Sequence, residues 1–218
     1  MNNSSLIKHI CFDLDGTIIN SYSTIYKTTI KTLEHFKITD PLEEKEFLKR
    51  IGHHFLHIFR DLNINVPDIE HFINVYKSFY FDFIDDSTIY AGAENVFNYL
   101  KEKEIKISLL TTKAQDQAEK ILEHFNLTHF FSAIMGRRTG IEIKPSPAPL
   151  LLICKELGVD PAETIMTGDS ELDIQCGKNA GAKSCAVTYG YRTLEVLQDE
   201  KPDFVISDIK EIIKILKP

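Results

Sequence analysis

The feature that most constrains the fold is a series of short, mainly apolar runs, each followed by a segment with helical periodicity. The runs are Ile10–Phe12, Ile107–Leu110, Phe131–Met135, Thr164–Met166, Cys185–Val187 and Phe204–Ile206. Amphipathic segments, such as residues 115–125 and 148–157, lie between them. Strands that are apolar on both faces and alternate with helices are typical of a parallel sheet covered on both sides. The sequence therefore predicts an α/β fold with a doubly wound parallel sheet.

Residues 21–86 interrupt this alternation. Their apolar side chains recur at helical spacing, as at Ile25, Leu33 and Phe36, and the stretch shows no pattern of a strand. We therefore predict a core domain of residues 1–20 and 87–218. The inserted residues 21–86 are predicted to form an all-helical domain over one end of that core.

Composition narrows the class of partner and the compartment. The chain of 218 residues has a net charge of -7, which argues against nucleic acid or a membrane surface as a partner, because both bind clustered cations. The apolar runs are shorter than the roughly 18 residues of a membrane span, and the first residues are polar rather than a signal sequence. The four cysteines show no CxxC spacing, so we predict free thiols in a cytoplasmic protein.

Polar side chains follow the predicted strands at the edge of the sheet where open α/β folds bind their ligands. They are Asp13, Asp15, Thr111, Lys144, Asp169 and Asp173. An unpaired charge moved from water into a buried site costs roughly 5 kcal/mol or more, so Asp13 and Asp15 require a compensating partner. Oxygen ligands suit Mg²⁺, and we expect Asp13 and Asp169 to supply two of them. The sequence thus predicts a site for Mg²⁺ and a phosphoryl group.

These residue types would support transfer of a phosphoryl group to Asp13. An ionised Asp13 beside a metal can attack phosphorus in line and form an aspartyl phosphate. Thr111 and Lys144 would hold the equatorial oxygens as charge develops. Asp15 could keep a proton for the leaving oxygen and later take one from water. The predicted catalytic residues are therefore Asp13, Asp15, Thr111 and Lys144.

Four motifs, in this order, resemble those of the haloacid dehalogenase-like phosphohydrolase superfamily. They are Asp13–Thr17 (DLDGT), Leu109–Lys113 (LLTTK), Lys144–Pro147 (KPSP) and Gly168–Asp173 (GDSELD). The resemblance covers nearly the whole chain and is greatest for the phosphoglycolate phosphatase group, whose members carry a helical cap. It implies a Rossmann-like core with residues 21–86 as the cap.

The resemblance also implies roles for individual positions, with Asp13 as the nucleophile and Asp15 as the acid/base. The implied Mg²⁺ ligands are Asp13, the main-chain carbonyl of Asp15, Asp169 and, as a ligand or a neighbouring anchor, Asp173. Thr111 and Lys144 would bind the phosphoryl group. Thr112 stands where the group usually has Asn, which puts one hydrogen bond to the substrate in question.

The predicted cap contains further candidate residues. Related caps present a specificity loop near the position of Gly52, so Gly52, His53 and His54 are expected to contact the substrate. His53 and His57 also have the i, i+4 spacing of a zinc pair, but no acid stands at a convincing spacing for a third ligand. Contact with the substrate is the favoured interpretation.

The fourth motif has a structural interpretation as well. Ser170 followed three residues later by Asp173 fits the start of a helix, with Ser170 as the N-cap. The position directly after a predicted strand favours a role in the site, and the two interpretations are compatible.

Together these inferences predict a Mg²⁺-dependent phosphatase that hydrolyses a small phosphorylated metabolite, such as a phosphoglycolate-like monoester. The alternatives are a phosphomutase of the β-phosphoglucomutase type, an inorganic pyrophosphatase and a catalytically silent binding module. The resemblance disfavours the mutase, because Gly52–Phe55 lacks the arginine that those mutases usually carry there. The intact motifs disfavour the silent module. The oligomeric state is left open between a monomer and a homodimer.

Overall fold

The computed structural model describes residues 7–216, and the chain divides into two compact units. The helical unit is Ile19–Thr88, and the core unit comprises the segments before and after it. The strands are β1 (His9–Phe12), β2 (Ile19–Asn20), β3 (Thr88–Ile89), β4 (Lys106–Ala114), β5 (Ala133–Arg137), β6 (Thr164–Gly168), β7 (Lys183–Val187) and β8 (Phe204–Ile206).

The α-helices are α1 (Tyr22–His35), α2 (Glu44–Leu48), α3 (Phe55–Asp61), α4 (Ile69–Phe79), α5 (Ala93–Glu102), α6 (Gln115–His124), α7 (Ala148–Leu157), α8 (Glu171–Asn179), α9 (Leu194–Asp199) and α10 (Ile212–Ile215). Short 3₁₀ helices occur at Tyr80–Asp86, Thr128–Phe130, Pro161–Glu163 and Ile209–Glu211. Across residues 7–216, no helix has both the length and the apolar character that crossing a membrane requires.

The core unit is built on a six-stranded sheet with the order β5-β4-β1-β6-β7-β8. Neighbouring strands in this sheet are parallel throughout. From β1 the chain builds outward through β4 and β5, and it then continues on the other side of β1 through β6, β7 and β8. The predicted α/β fold with a doubly wound parallel sheet is confirmed.

The centre of this sheet is buried on both faces. Every residue of β1 and β6 is buried, which explains why their apolar residues are consecutive rather than alternating. Helix α5 buries a single stripe, formed by Ala93, Val96, Phe97 and Leu100. The ring of Phe97 meets that of Phe12 edge to face, with their centroids 5.4 Å apart. The strands are therefore fixed by apolar packing along their length, which leaves their ends free to carry polar side chains.

The helical unit contains α1 to α4 and the 3₁₀ helix at Tyr80–Asp86. Thr28, Thr29 and Thr32 are buried on α1, and each hydroxyl donates to the carbonyl four residues earlier, so that it is satisfied within the helix. Phe59 and Phe72 join α3 to α4, with ring centroids 5.0 Å apart. Residues 21–86 are thus mainly helical, while their role as a cap stays a prediction.

Candidate active site

The candidate site lies at the carboxyl ends of β1, β4 and β6. In the sheet, Phe12 at the end of β1 is in register with Leu109 of β4 and Thr167 of β6. Asp13 follows β1 directly, and its N–H donates to the carbonyl oxygen of Thr167 at 2.9 Å. Asp169 follows β6 directly. Parallel pairing therefore brings residues that are distant in the chain to one edge of the sheet.

Lys144 is the buried cation of this site, although it stands in the loop before α7. Its Nζ lies 2.8 Å from Asp13 Oδ1 and 2.5 Å from Asp173 Oδ1, and it donates to Leu110 O at 2.9 Å. An ammonium group has three N–H donors, so each has an acceptor. Burial alone would lower the pKa of Lys144, but Asp13 and Asp173 outweigh it and raise that pKa. Lys144 therefore stays charged.

Asp173 is fully buried in the first turn of α8. While its Oδ1 contacts Lys144, its Oδ2 accepts hydrogen bonds from Ser170 N at 3.1 Å and from Ser170 Oγ at 2.6 Å. The bond from Ser170 N is one half of a capping box, and the Ser170 side chain supplies the other half by accepting from the N–H of Asp173. A Cβ at position 168 would overlap the Asp173 carboxyl, so Gly168 permits the close approach of β6 to α8. Asp173 thus begins the helix and also holds the lysine of the site.

Asp13, Asp169 and Asp173 form a cluster that could hold a metal ion. One carboxylate oxygen of each lies within 4.8 Å of the others. Burial raises the pKa of Asp169 well above its ordinary value, and Asp13 and Asp173 add to this effect. Burial also raises the pKa of Asp13, against the lowering effect of Lys144. Three buried carboxylates beside one buried ammonium leave an excess of negative charge, which a divalent cation that prefers oxygen ligands, such as Mg²⁺, would balance.

The backbone closes tightly around Asp169. The N–H of Tyr191 donates to Asp169 Oδ2 at 2.7 Å. A Cβ at Gly16, where φ is +81°, or at Gly190 would overlap the Asp169 side chain. These two glycines therefore let the turn after β1 and the loop after β7 approach one carboxylate closely.

The end of β4 is irregular, and this irregularity sets the positions of the last residues of the second motif, Leu109–Lys113. Pairing of β4 with β5 is regular up to Leu110, and the register shifts before Ala114. Such irregularities re-aim side chains and are common beside active sites. Gln115 bridges the strands here, because its Oε1 accepts from Gly136 N at 2.5 Å and its Nε2 donates to Ile134 O at 3.1 Å. Residues 111–113 therefore leave the regular ladder at the carboxyl edge.

Thr111, Thr112 and Lys113 occupy this shifted stretch. Thr111 is buried, and its Oγ1 accepts from the N–H of Lys113 at 3.2 Å, while Thr112 is partly buried. The Nζ of Lys113 lies 3.3 Å from Asp15 Oδ2, and the two side chains are 8% and 13% exposed. Lys113 was not among the predicted site residues, although a lysine at the end of a buried strand was a signal for it.

Gly52, His53 and His54 belong to the helical unit, where they precede α3. Gly52 has a φ of +101°, which favours glycine, and the His54 ring accepts from the N–H of Leu56 at 3.3 Å. Contact of these three residues with a substrate stays a prediction. Within residues 7–216, the aspartate cluster is the only group of three or more potential ligands close enough to share a metal, so the histidines form no such group.

The site thus places acidic and cationic side chains together at the carboxyl edge of a doubly wound sheet. The family described as haloacid dehalogenase-like hydrolases matches residues 10–187. Because this match spans most of the chain, the protein belongs to that family. The predicted family and enzyme class are confirmed.

Relatives that match over nearly their whole length carry phosphatase names. A Clostridium perfringens protein, provisionally named pyrophosphatase PpaX, is 35% identical over 213 residues, covering 97% of this chain and 98% of that protein. The phosphoglycolate phosphatase of Haemophilus influenzae is 29% identical over 220 residues, covering 96% and 98%. A Haemophilus somnus crystal structure, described as a predicted phosphoglycolate phosphatase, has a TM-score of 0.87 at 25% identity, covering 98% of this chain and 99% of that one.

Proposed function

We propose that the protein is a Mg²⁺-dependent phosphatase that hydrolyses a small phosphorylated metabolite through an aspartyl phosphate on Asp13. The observation that carries the proposal is the buried Asp13, whose Oδ1 lies 2.8 Å from Lys144 Nζ and which belongs to the cluster with Asp169 and Asp173. The phosphatase names of the relatives support the same class of reaction.

The proposed reaction has two steps. In the first, a carboxylate oxygen of Asp13 attacks phosphorus, the bond to the leaving oxygen breaks, and Asp15 gives that oxygen a proton. In the second, Asp15 takes a proton from water, the water oxygen attacks phosphorus, and Asp13 is released together with inorganic phosphate. Lys144 holds Asp13 in place, and with Thr111 it offers a charge and a hydroxyl to the phosphoryl oxygens.

Mg²⁺ fits the donor set of the site. Asp13 and Asp169 would hold it, with the main-chain carbonyl of Asp15 and the carboxylate of Asp173 as further candidates. When bound, it would offset the negative charge of the carboxylates and of the phosphoryl group. Both oxygens of Asp173 already have partners in Lys144 and Ser170, which favours Asp173 as an anchor over Asp173 as a ligand.

Two substrate classes have support. A phosphoglycolate-like monoester agrees with the names of the Haemophilus relatives, and pyrophosphate agrees with the name of the Clostridium protein. We further propose that Thr112, together with Gly52, His53 and His54 of the helical unit acting as a cap, contacts the leaving group. The four free, buried cysteines support the proposal of a reducing, cytoplasmic environment.

The test is phosphate release with Mg²⁺ and with a chelator, over phosphoglycolate, pyrophosphate, sugar phosphates and nucleotides. Asp13→Asn serves as the blank, because it removes the nucleophilic oxygen while keeping the shape of the side chain. Metal-dependent release from one substrate well above the others, absent in the blank, is the expected result. Retained activity in a folded Asp13→Asn protein would rule out the assigned nucleophile. Interconversion of glucose phosphate isomers without release would favour the mutase.

A further inference from the structure

A second lysine stands beside the second acid of the site. Lys113 Nζ lies 3.3 Å from Asp15 Oδ2, and only 8% of the Lys113 side chain is exposed. Burial of an ammonium group is costly without a partner, so this ion pair differs from the solvated pairs of a protein surface. The register shift of β4 and the hydrogen bond from Lys113 N to Thr111 Oγ1 fix the point from which the side chain extends.

The two lysines of the site differ in what they hold. Lys144 contacts Asp13, Asp173 and a main-chain carbonyl, so its charge lies at the nucleophile. Lys113 instead contacts Asp15, the residue proposed to exchange a proton with the leaving oxygen. In the proposed mechanism, the positive charge of Lys113 therefore lies beside the acid that protonates the leaving group.

We propose that Lys113 is a specificity-determining residue that selects substrates whose leaving group carries its own negative charge, as a carboxylate or a phosphate. This inference rests on the proposed phosphatase function. The buried aspartates and the net charge of -7 repel an anionic leaving group, and a cation beside Asp15 offsets that repulsion. A neutral alkyl leaving group gains no comparable attraction from the cation.

The experiment compares substrates that differ in this one charge. Phosphoglycolate and ethyl phosphate are a matched pair, because a carboxylate in the first stands where the second has a methyl group, and pyrophosphate supplies the phosphate leaving group. With Mg²⁺ present, we expect Lys113→Gln to lower kcat/KM for both anionic substrates roughly 30-fold or more, mainly through KM. For ethyl phosphate we expect a loss of roughly threefold or less. The larger loss identifies whether a carboxylate or a phosphate fits better.

Two further variants control for charge and structure. Lys120→Gln removes the same charge from an exposed position on α6, and it should leave kcat/KM for every substrate within about twofold of the wild-type value. Lys113→Arg keeps the cation and should restore most of the preference for phosphoglycolate over ethyl phosphate. Thermal unfolding of each variant reports whether the fold is intact.

An equal loss for phosphoglycolate and ethyl phosphate in Lys113→Gln would overturn the inference, because a lysine that merely positions Asp15 would affect both substrates alike. If this variant does not fold, the test is the kcat/KM of the wild-type enzyme for the two substrates. Equal values for phosphoglycolate and ethyl phosphate would overturn the inference. Failure of the proposed function has a different signature: the wild type would release phosphate from no substrate, or Asp13→Asn would remain active. In that case the inference fails with it.

Discussion

The two ends of the central strand β1 carry buried polar side chains of opposite character. At the amino end, His9 Nδ1 lies 3.1 Å from Thr164 Oγ1 of β6, and His9 Nε2 lies 2.8 Å from Ser108 Oγ of β4. At the carboxyl end, Asp13 lies 2.8 Å from Lys144 and among two further carboxylates. Both groups link the same three strands, but the side chains are uncharged hydroxyls and an imidazole at one end and ionisable carboxylates at the other.

This difference shows how buried polar groups serve either stability or binding. Each ring nitrogen of His9 has a hydroxyl partner, so the group is satisfied by the protein itself. At the other end the carboxylates outnumber the ammonium, and burial raises the pKa of Asp13 and of Asp169. The first arrangement is complete without a ligand. The second becomes more stable when a cation binds, which is the property that a metal site requires.

Lys144→Met would remove the ammonium group that contacts both Asp13 and Asp173 at the carboxyl end of β1. Of the substitutions considered, it should have the largest effect on stability and activity. The ammonium would be lost while Asp13 and Asp173 stay buried, and removal of one partner from a buried ion pair costs about 3–5 kcal/mol. We expect a fall of that size in the unfolding free energy at neutral pH, together with a loss of phosphatase activity of roughly 10³-fold or more. Urea unfolding and phosphate release measure the two effects.

The matched control for this prediction is Lys120→Met, which removes an exposed lysine on α6. Its unfolding free energy should stay within about 0.5 kcal/mol of the wild-type value. A Lys144→Met protein as stable as this control would contradict the view that Lys144 is the counter-charge of the buried carboxylates.

His9, at the uncharged amino end of β1, should make the unfolding free energy depend on pH. Burial, with a smaller contribution from Lys106, lowers the pKa of His9 from 6.5 to about 4. Between these values the unfolded chain binds more protons than the folded one, so the contribution of His9 is present above pH 6.5 and is lost as the pH falls towards 4. A shift of this size corresponds to about 3 kcal/mol.

Comparison of the wild type with His9→Asn isolates this contribution, because the other titrating groups are common to both proteins. We expect the stability difference between the two proteins to shrink by about 3 kcal/mol between pH 7 and pH 4. At pH 7 the folded variant should retain its kinetic constants, since His9 lies at the opposite end of β1 from Asp13. A stability difference that is independent of pH would show that His9 is not the titrating group.

The strands were predictable because burial on both faces leaves a local signal, a continuous apolar run. The boundary of β5 shows the limit of that signal. The run Phe131–Met135 predicted the strand, but β5 begins at Ala133, because the chain first forms the 3₁₀ helix Thr128–Phe130 and the ring of Phe131 packs against Phe97 at 5.5 Å between centroids. Apolar content does not distinguish a partly buried turn from a strand.

His9 and Lys113 were missed for related reasons. The partners of His9 are 99 and 155 residues away, so its polar network exists only through strand pairing. The place of Lys113 at the end of a buried strand was a signal that it lies near the site, but its contact with Asp15 depends on the register shift after Leu110, which the sequence pattern does not show. The positions of residues that directly follow a strand, such as Asp13 and Asp169, could be read from the sequence, whereas contacts that depend on long-range register could not.

Asp169→Asn gives the smallest effect and tests the excess of negative charge directly. Because the pKa of Asp169 is raised on folding, its charge destabilises the metal-free protein at neutral pH, and the amide should make that protein slightly more stable. The amide oxygen can still accept the hydrogen bond from Tyr191 N, so the local structure should be kept. Thermal unfolding in chelator measures this gain.

Addition of Mg²⁺ should reverse this order and make the wild type more stable than Asp169→Asn. A ligand that binds only the folded state at 100 times its Kd stabilises it by about 2.7 kcal/mol, so the wild type should gain stability as Mg²⁺ is titrated in. Asp169→Asn should gain much less, whereas His9→Asn should respond like the wild type because its site is intact. If Asp169→Asn responds to Mg²⁺ as strongly as the wild type, the metal binds elsewhere, and the excess charge at the carboxyl end of β1 must have another purpose.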